Sequence, residues 1–302
     1  MPELRFDNRV AVITGAGRGL GRSYAMFLAS KGAKVIVNDP GGSLRGADAD
    51  SGPAQEVVRE IKAAGGEAVA CTESVATAEG GDAIIRSALD HYGRIDILIH
   101  NAGIVRPASL KEMSLADFNA VVDVHLKGAF HVVRSAFPLM CGAGYGRIVL
   151  TSSIGGLYGN RAITNYAVSK AAMIGLSNVA AIEGAAEGVK SNVIVPAAVT
   201  RMAEGIDTRA YPPMSPDLVA PVVGWLAHET CSISGEMLIS IAGRVARAFI
   251  AESPGVYRDE WSIEEVAEQM ERIRSTDAPL VFSTLPKGHA EHIGYSFKLA
   301  RQ

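Results

Sequence analysis

Short apolar runs alternate along the chain with longer stretches in which apolar residues recur every three or four positions. The runs Val10–Thr14, Lys34–Asp39, Glu67–Cys71, Ile95–His100, Gly146–Ser152, Val189–Val195 and Met237–Ile241 predict seven strands. Between them, Leu20–Ser30, Pro53–Ala64, Ala78–Tyr92, Ala116–Met140, Asn165–Glu187 and Pro216–His228 carry the helical period. Strand and helix in strict alternation imply an α/β fold, a doubly wound, seven-stranded parallel sheet of Rossmann type with helices on both faces. The alternation stops near Ala242. Residues 1–243 therefore read as one domain. Residues 244–302 read as an extension with one charged helix, Ser262–Arg274, followed by a tail without strand alternation.

Composition narrows the function classes. With 48% apolar and 20% charged residues in 302, the chain can bury a sizeable core. A net charge of -3 gives no electrostatic footprint for nucleic acid or anionic membranes, and 6% aromatic content argues against base-stacking platforms. No run of eighteen apolar residues occurs, and Met1–Arg9 is charged where a secretory leader would be apolar. Cys71, Cys141 and Cys231 are odd in number and far apart, which fits a reducing, cytoplasmic setting and no zinc site. His289 and His292 share a helical spacing but have no third ligand nearby, so no metal is expected.

The chemistry-bearing residues follow the strands. Thr14-Gly15-Ala16-Gly17-Arg18-Gly19-Leu20-Gly21 lies between the first strand and the first helix. There a glycine-rich turn and a helix N-terminus can receive a pyrophosphate. Asp39, 24 residues after Gly15, ends the second strand, where a carboxylate accepts from ribose hydroxyls and repels a 2′-phosphate. Arg18 argues mildly for that phosphate, and Asp39 outweighs it. Tyr166 and Lys170 stand one turn apart on one helix, and Ser153 lies thirteen residues before the tyrosine. Bringing a phenol that titrates near 10 to neutrality takes roughly 4 kcal/mol. One ammonium about 4 Å away at an effective dielectric of 20 supplies about that. Lys170 is thus expected to make Tyr166 a general acid/base.

These elements together resemble the short-chain dehydrogenase/reductase family over about residues 6 to 243. The likeness includes His100-Asn101-Ala102-Gly103 for that family's Asn-Asn-Ala-Gly, and Pro196-Ala197-Ala198-Val199-Thr200 for its nicotinamide-side turn. It implies that residues 1–243 are a dinucleotide-binding catalytic domain, with a catalytic Ser153, Tyr166 and Lys170. It also implies cofactor contacts from Gly15, Arg18, Gly19, Leu20, Asp39, Ser74, Val75, Asn101, Ala102, Gly103, Tyr166, Lys170, Pro196 and Val199. The chain departs from the pattern at His100, at Ala197 and at Glu73-Ser74-Val75, which replaces the usual Asp-Val adenine contact. It departs again at His125, which takes the place of the family's catalytic asparagine. His125 is either a fourth catalytic residue acting as a proton relay or a packed helix histidine.

Asn38-Asp39-Pro40-Gly41-Gly42, His125 and Thr200-Arg201-Met202 are similar to the (3R)-hydroxyacyl-CoA dehydrogenase unit of multifunctional enzyme type 2 and its actinobacterial steroid-catabolic relatives. The resemblance implies an NAD-dependent oxidation of 3-hydroxyacyl-CoA, steroid side-chain CoA esters included. A 17β-hydroxysteroid dehydrogenase is the alternative among enzymes, and a non-catalytic dinucleotide sensor is the alternative outside them. Asp39 disfavours an NADPH-dependent ketoacyl reductase. The resemblance further implies a homodimer, with the extension crossing to the partner subunit near a substrate lid at Met202–Pro216. Lys287 and Arg274 then either meet CoA phosphates or remain solvated charges.

Overall fold

All five residues of β1 (Val10–Thr14) are buried, as are all four of β4 (Ile97–His100) and all six of β5 (Gly146–Thr151). Strands buried on both faces belong in the middle of a parallel sheet covered by helices on each side. The computed structural model describes residues 3–43, 45–47, 51–200 and 211–301.

The element order is β1, α1 (Gly19–Ser30), β2 (Lys34–Asn38), α2 (Gly52–Ala63), β3 (Glu67–Cys71), α3 (Ala78–Tyr92), β4, α4 (Leu115–Val122), α5 (Gly128–Gly142), β5, α6 (Ile154–Tyr158), α7 (Thr164–Gly184), β6 (Val189–Ala197), α8 (Ala220–Ala227), β7 (Met237–Ile241) and β8 (Arg244–Ala248). The sheet order is β3-β2-β1-β4-β5-β6-β7-β8, with parallel pairing from β3 through β7. Alternate residues feed two cores. Ile13, Val35, Ile97, Ile99 and Val149 pack with α1, α2 and α8 on one face. Val12, Ile36, Leu98, Ile148 and Leu150 pack with α3, α5 and α7 on the other. Strand order reverses between β1 and β4, so the carboxyl ends of these two strands open a crevice, the usual ligand position in such sheets.

Three sequence expectations need correction. The sheet has eight strands, because Arg244–Ala248 adds an edge strand whose charged, mostly exposed residues lack the apolar alternation of a core strand. The single helix expected over Ala116–Met140 is interrupted by a π-helical turn, Asp123–Lys127, between α4 and α5. The tail beyond Arg274 contains a helix, α10 (Gly288–Leu299), in addition to the expected α9 (Ile263–Ile273).

The chain divides into two compact units, Met1–Arg247 and Ala248–Gln302. In the second, Ser262 and Glu265 form a reciprocal capping box that starts α9. Phe282 contacts the rings of His292 and Tyr295, and His292 pairs with Glu252 at 2.9 Å. No residue of α9 is buried, and α10 buries only Gly288. None of the described helices is long and apolar enough to cross a membrane.

Candidate active site

The crevice at the strand-order reversal holds a cavity of about 520 Å³. Its nucleotide end is built by the turn after β1. Gly15 has φ +65°, and a Cβ there would lie 2.7 Å from the Cα of Ala102, so only glycine lets the two loops meet. The N-terminus of α1 has neither a capping side chain nor an acidic residue in its first turn. Its free amides and dipole therefore point at the cavity, the arrangement that receives a phosphate. Asp39 accepts the Gly17 N–H at 2.9 Å and the Gly41 N–H at 2.7 Å, one on each carboxylate oxygen. Each oxygen keeps a lone pair, and the carboxylate is fixed on the cavity wall. The neighbouring Asn38 donates to the carbonyls of Cys71 and Glu73, which secures the loop carrying Ser74 and Val75. The cleft thus fits a dinucleotide, with amides for the pyrophosphate and an acid for a ribose.

Thr14 joins the two central strands at this point. His100 Nε2 lies 3.2 Å from the His125 carbonyl, to which it must donate, so His100 Nδ1 accepts from the Thr14 hydroxyl at 3.0 Å. The same Thr14 oxygen accepts the N–H groups of Asn101 (3.1 Å) and Ala102 (3.2 Å). Asn101 in turn donates to the Gly15 carbonyl at 3.1 Å. Burial pushes His100 down to about 3, with the Lys170 charge in the same direction, so the ring is neutral.

The reactive end lies between β5, α6 and α7. Ser153 is the N-cap of α6, where its hydroxyl accepts the Gly155 N–H at 3.1 Å, and both this hydroxyl and the Tyr166 ring flank Gly155. Lys170 is 3% exposed, donates to the Thr151 carbonyl at 2.7 Å, and holds its ammonium 5.7 Å from the Tyr166 ring centroid. Burial pushes this lysine down to about 7. Burial also pushes the Tyr166 phenol up, opposed by the Ser153 hydroxyl. This corrects the expectation that Lys170 holds the tyrosine down, because burial dominates the shift and the lysine is not among its causes.

His125 sits in the π-helical turn, 1% exposed, with its ring edge-on to Tyr166 at 5.3 Å. Its Nε2 contacts both the N–H and the carbonyl of Ile104, at 3.0 and 2.8 Å, while Nδ1 is buried without a partner among the described residues. A Cβ on Gly103 would lie 2.3 Å from this ring. Burial, then the Lys170 charge, hold His125 well below its ordinary value, so it stays neutral across the working range.

Of the residues expected to touch a cofactor, Gly15, Arg18, Gly19, Leu20, Asp39, Ser74, Val75, Asn101, Ala102, Gly103, Tyr166, Lys170 and Pro196 line the cavity together with His125. Ser153 does not line it and stands beside Tyr166 across Gly155. Val199 does not line it, and its N–H is committed to the Met214 carbonyl at 2.8 Å. Residues 201–210, most of the expected lid, lie outside the described residues. Sequence reasoning missed Ser43, Gly46 and Ala47, which line the nucleotide end, and Asn165 beside the tyrosine. Gly41-Gly42 after Asp39 was the available signal for the first group.

A profile of the short chain dehydrogenase family matches residues 9–210. The chain is 48% identical to peroxisomal multifunctional enzyme type 2 of Drosophila melanogaster over 84% of its own length and 42% of that enzyme. It is 41% identical to a putative short-chain type dehydrogenase/reductase of Mycobacterium tuberculosis, over 88% of this chain and 94% of that one. The solved full-length structure of the Drosophila enzyme superposes with a TM-score of 0.81 at 38% identity, covering 99% of this chain and 50% of that one. The chain thus spans about half the length of the multifunctional enzymes it matches.

The buried lysine makes stability depend on pH. An unfolded chain holds the Lys170 proton with the ordinary value of 10.5, and the folded one with about 7. Between these values the unfolded state binds more protons, so stability from this group is full above 10.5 and is lost as pH falls to about 7. Denaturant unfolding of the protein and of Lys170→Met from pH 7 to pH 10 should show the wild type gaining on the variant by several kcal/mol, an order-of-magnitude figure. A constant difference would mean that Lys170 is not desolvated.

Proposed function

Since the chain belongs to the short-chain dehydrogenase family, we propose that this enzyme oxidises the 3-hydroxyl of acyl-CoA thioesters with NAD, steroid side-chain CoA esters being candidate substrates. The observation that carries the reading is the placing of Tyr166 and Lys170, with Ser153 beside the tyrosine, at one end of a cavity whose other end presents Asp39 and the free amides of α1. A dinucleotide sensor has no use for a buried lysine beside a phenol, which disfavours the non-catalytic alternative. The resemblance at Asn38–Gly42 and His125 favours acyl-CoA over a 17β-hydroxysteroid.

A bound nicotinamide dinucleotide supplies the hydride acceptor. This chain's own residues bind, orient and move the proton. Ser153 holds the substrate oxygen and Tyr166 takes its proton. With Lys170 deprotonated, as its value near 7 allows, Tyr166 accepts the hydroxyl proton as it passes its own phenol proton on to the Lys170 amine. His125 serves as a neutral wall that spaces Gly103 and Ile104 from the Tyr166 ring, and its neutrality disfavours the relay alternative. Tyr166→Phe should lower kcat for a 3-hydroxyacyl-CoA at least a hundredfold while NADH fluorescence still reports binding. Turnover near wild type in that variant would remove Tyr166 from the reaction.

Asp39 sets the choice of dinucleotide. Its fixed carboxylate would face a 2′-phosphate, so NAD is preferred. Asp39→Ala should lower KM for NADP by about tenfold or more, a change of ~1.4 kcal/mol. Equal use of both coenzymes by the wild type would refute the assignment.

We further assign the extension to a homodimer in which it covers part of the partner's substrate site, with cytoplasmic location as the accompanying reading of the free thiols. Ile263 is 85% exposed and Phe297 59%, and no residue of α9 is buried, so the unit does not close a core of its own. Removing residues 249–302 should leave NADH affinity within about twofold, weaken dimerisation in sedimentation, and raise KM for acyl-CoA about tenfold. A truncated dimer with unchanged kinetics would end that assignment.

A further inference from the structure

The residue before the tyrosine is a buried amide with three hydrogen bonds. Asn165 is 1% exposed. Its Nδ2 donates to the carbonyl of Arg106 at 3.0 Å and to that of Asp117 at 3.1 Å. Its Oδ1 accepts the N–H of Tyr166 at 2.8 Å. Tyr166 is the third residue of α7, so its N–H has no intrahelical partner, and the helix has no capping side chain at Ile163.

Other contacts stitch the same seam. Ala108 forms a parallel bridge with Ile163, and its N–H donates to the Ala162 carbonyl at 3.0 Å. Ala162 holds φ +59°, a left-handed conformation that a residue with a Cβ keeps only when its surroundings impose it. The Arg106 side chain continues the connection. It bonds to the Asp117 carboxylate at 3.2 Å and to the Arg45 carbonyl at 2.9 Å, and the next two residues, Gly46 and Ala47, line the nucleotide end of the cavity. The amide of Asn165 is the point where the catalytic helix is tied to the wall formed by Arg106 and α4.

We propose that Asn165 is a positioning residue, which sets the place of Tyr166 relative to that wall. The inference rests on the reading of Tyr166 as the acid/base. The side-chain chemistry is demanding, because the site needs two donors and one acceptor on a short stem. Aspartate would set a carboxylate against two carbonyls, alanine would remove both donors, and serine could donate to one carbonyl at most. A tyrosine displaced by about 1 Å loses about a hundredfold in rate, so the tie acts on kcat.

The experiment compares wild type, Asn165→Ala, Asn165→Ser, Tyr166→Phe and Ser177→Ala with a 3-hydroxyacyl-CoA and NAD, and measures NADH affinity by fluorescence. Serine can still accept the first-turn N–H but cannot tie both carbonyls. Ser177 is buried on α7, bonds to Ser191 at 2.9 Å and lies outside the cavity lining, so it controls for a loosened helix. The expected result is a kcat about thirtyfold to a hundredfold lower in both Asn165 variants. KM and NADH affinity should stay within about twofold, and Ser177→Ala should turn over normally. Recovery in Asn165→Ser would reduce the residue to a helix cap and overturn the proposal, as would an equal loss in Ser177→Ala or full activity in Asn165→Ala. If Tyr166→Phe itself keeps turnover, the reading of the site falls and this proposal falls with it. If Tyr166→Phe is dead while Asn165→Ala is active, only this proposal falls.

Discussion

The site depends on keeping the Lys170 ammonium dry. It is almost fully buried and donates to a backbone carbonyl, that of Thr151. Burying a cation on such terms is costly, and the structure meets the cost by lowering the proton affinity of the amine. The fold has to enforce this position from several sides. The Ser152 hydroxyl bonds to the Lys170 carbonyl at 2.7 Å, and β5 presents the Thr151 carbonyl from the middle of the sheet. The two neighbouring histidines are both neutral, and the lysine charge is one reason in each case. A second cation there would meet the first across a low-dielectric gap.

From that constraint the division of labour in the crevice follows. At the nucleotide end, charge is handled by fixed dipoles: the amides of α1 and an aspartate tied down by two N–H groups. At the reactive end, charge is handled by titration, with a lysine shifted down and a phenol shifted up. The Thr14 hydroxyl connects the two. It is buried at the strand-order reversal, and one oxygen serves His100, Asn101 and Ala102. The loops from β1 and β4 are thereby held at contact distance.

Sequence patterning made the sheet legible because its strands are buried on both faces, which forces uninterrupted apolar runs. β8 escaped because an edge strand reading Arg-Val-Ala-Arg-Ala needs no such run. The π-helical turn escaped because five residues of altered winding leave the apolar period nearly intact. Asp39, Ser153, Tyr166 and Lys170 could be placed because their chemistry is local to strand ends and one helix face. The role of Asn165 could not, since its partners Arg106 and Asp117 lie 59 and 48 residues away and are backbone carbonyls. Any residue type supplies a carbonyl, so nothing in the letters marks one. The direction of the tyrosine shift failed for a related reason: spacing indicates which charge is near, but burial is a property of the whole fold.

Two of the departures from the family pattern are in contact with each other. His100 stands where the pattern has its first asparagine, and His125 stands where it has the catalytic one. The His100 ring spans from Thr14 to the His125 carbonyl. A π-helical turn shifts its hydrogen bonds by one residue, so its carbonyls need partners that an ordinary helix would supply internally. A ring reaching from the end of β4 supplies one, and it does so without charge because burial holds the imidazole neutral. With its backbone held in this way, His125 turns its own ring toward Ile104 and Tyr166, where a Cβ on Gly103 would leave no room. The two histidines and that glycine therefore form one steric and hydrogen-bonded unit. Asparagine at position 100 reaches one bond less far than the histidine Nε2 and would have to bridge the same gap in another way. The altered residues are best understood together, as one solution to holding a wound-out turn against the end of a central strand.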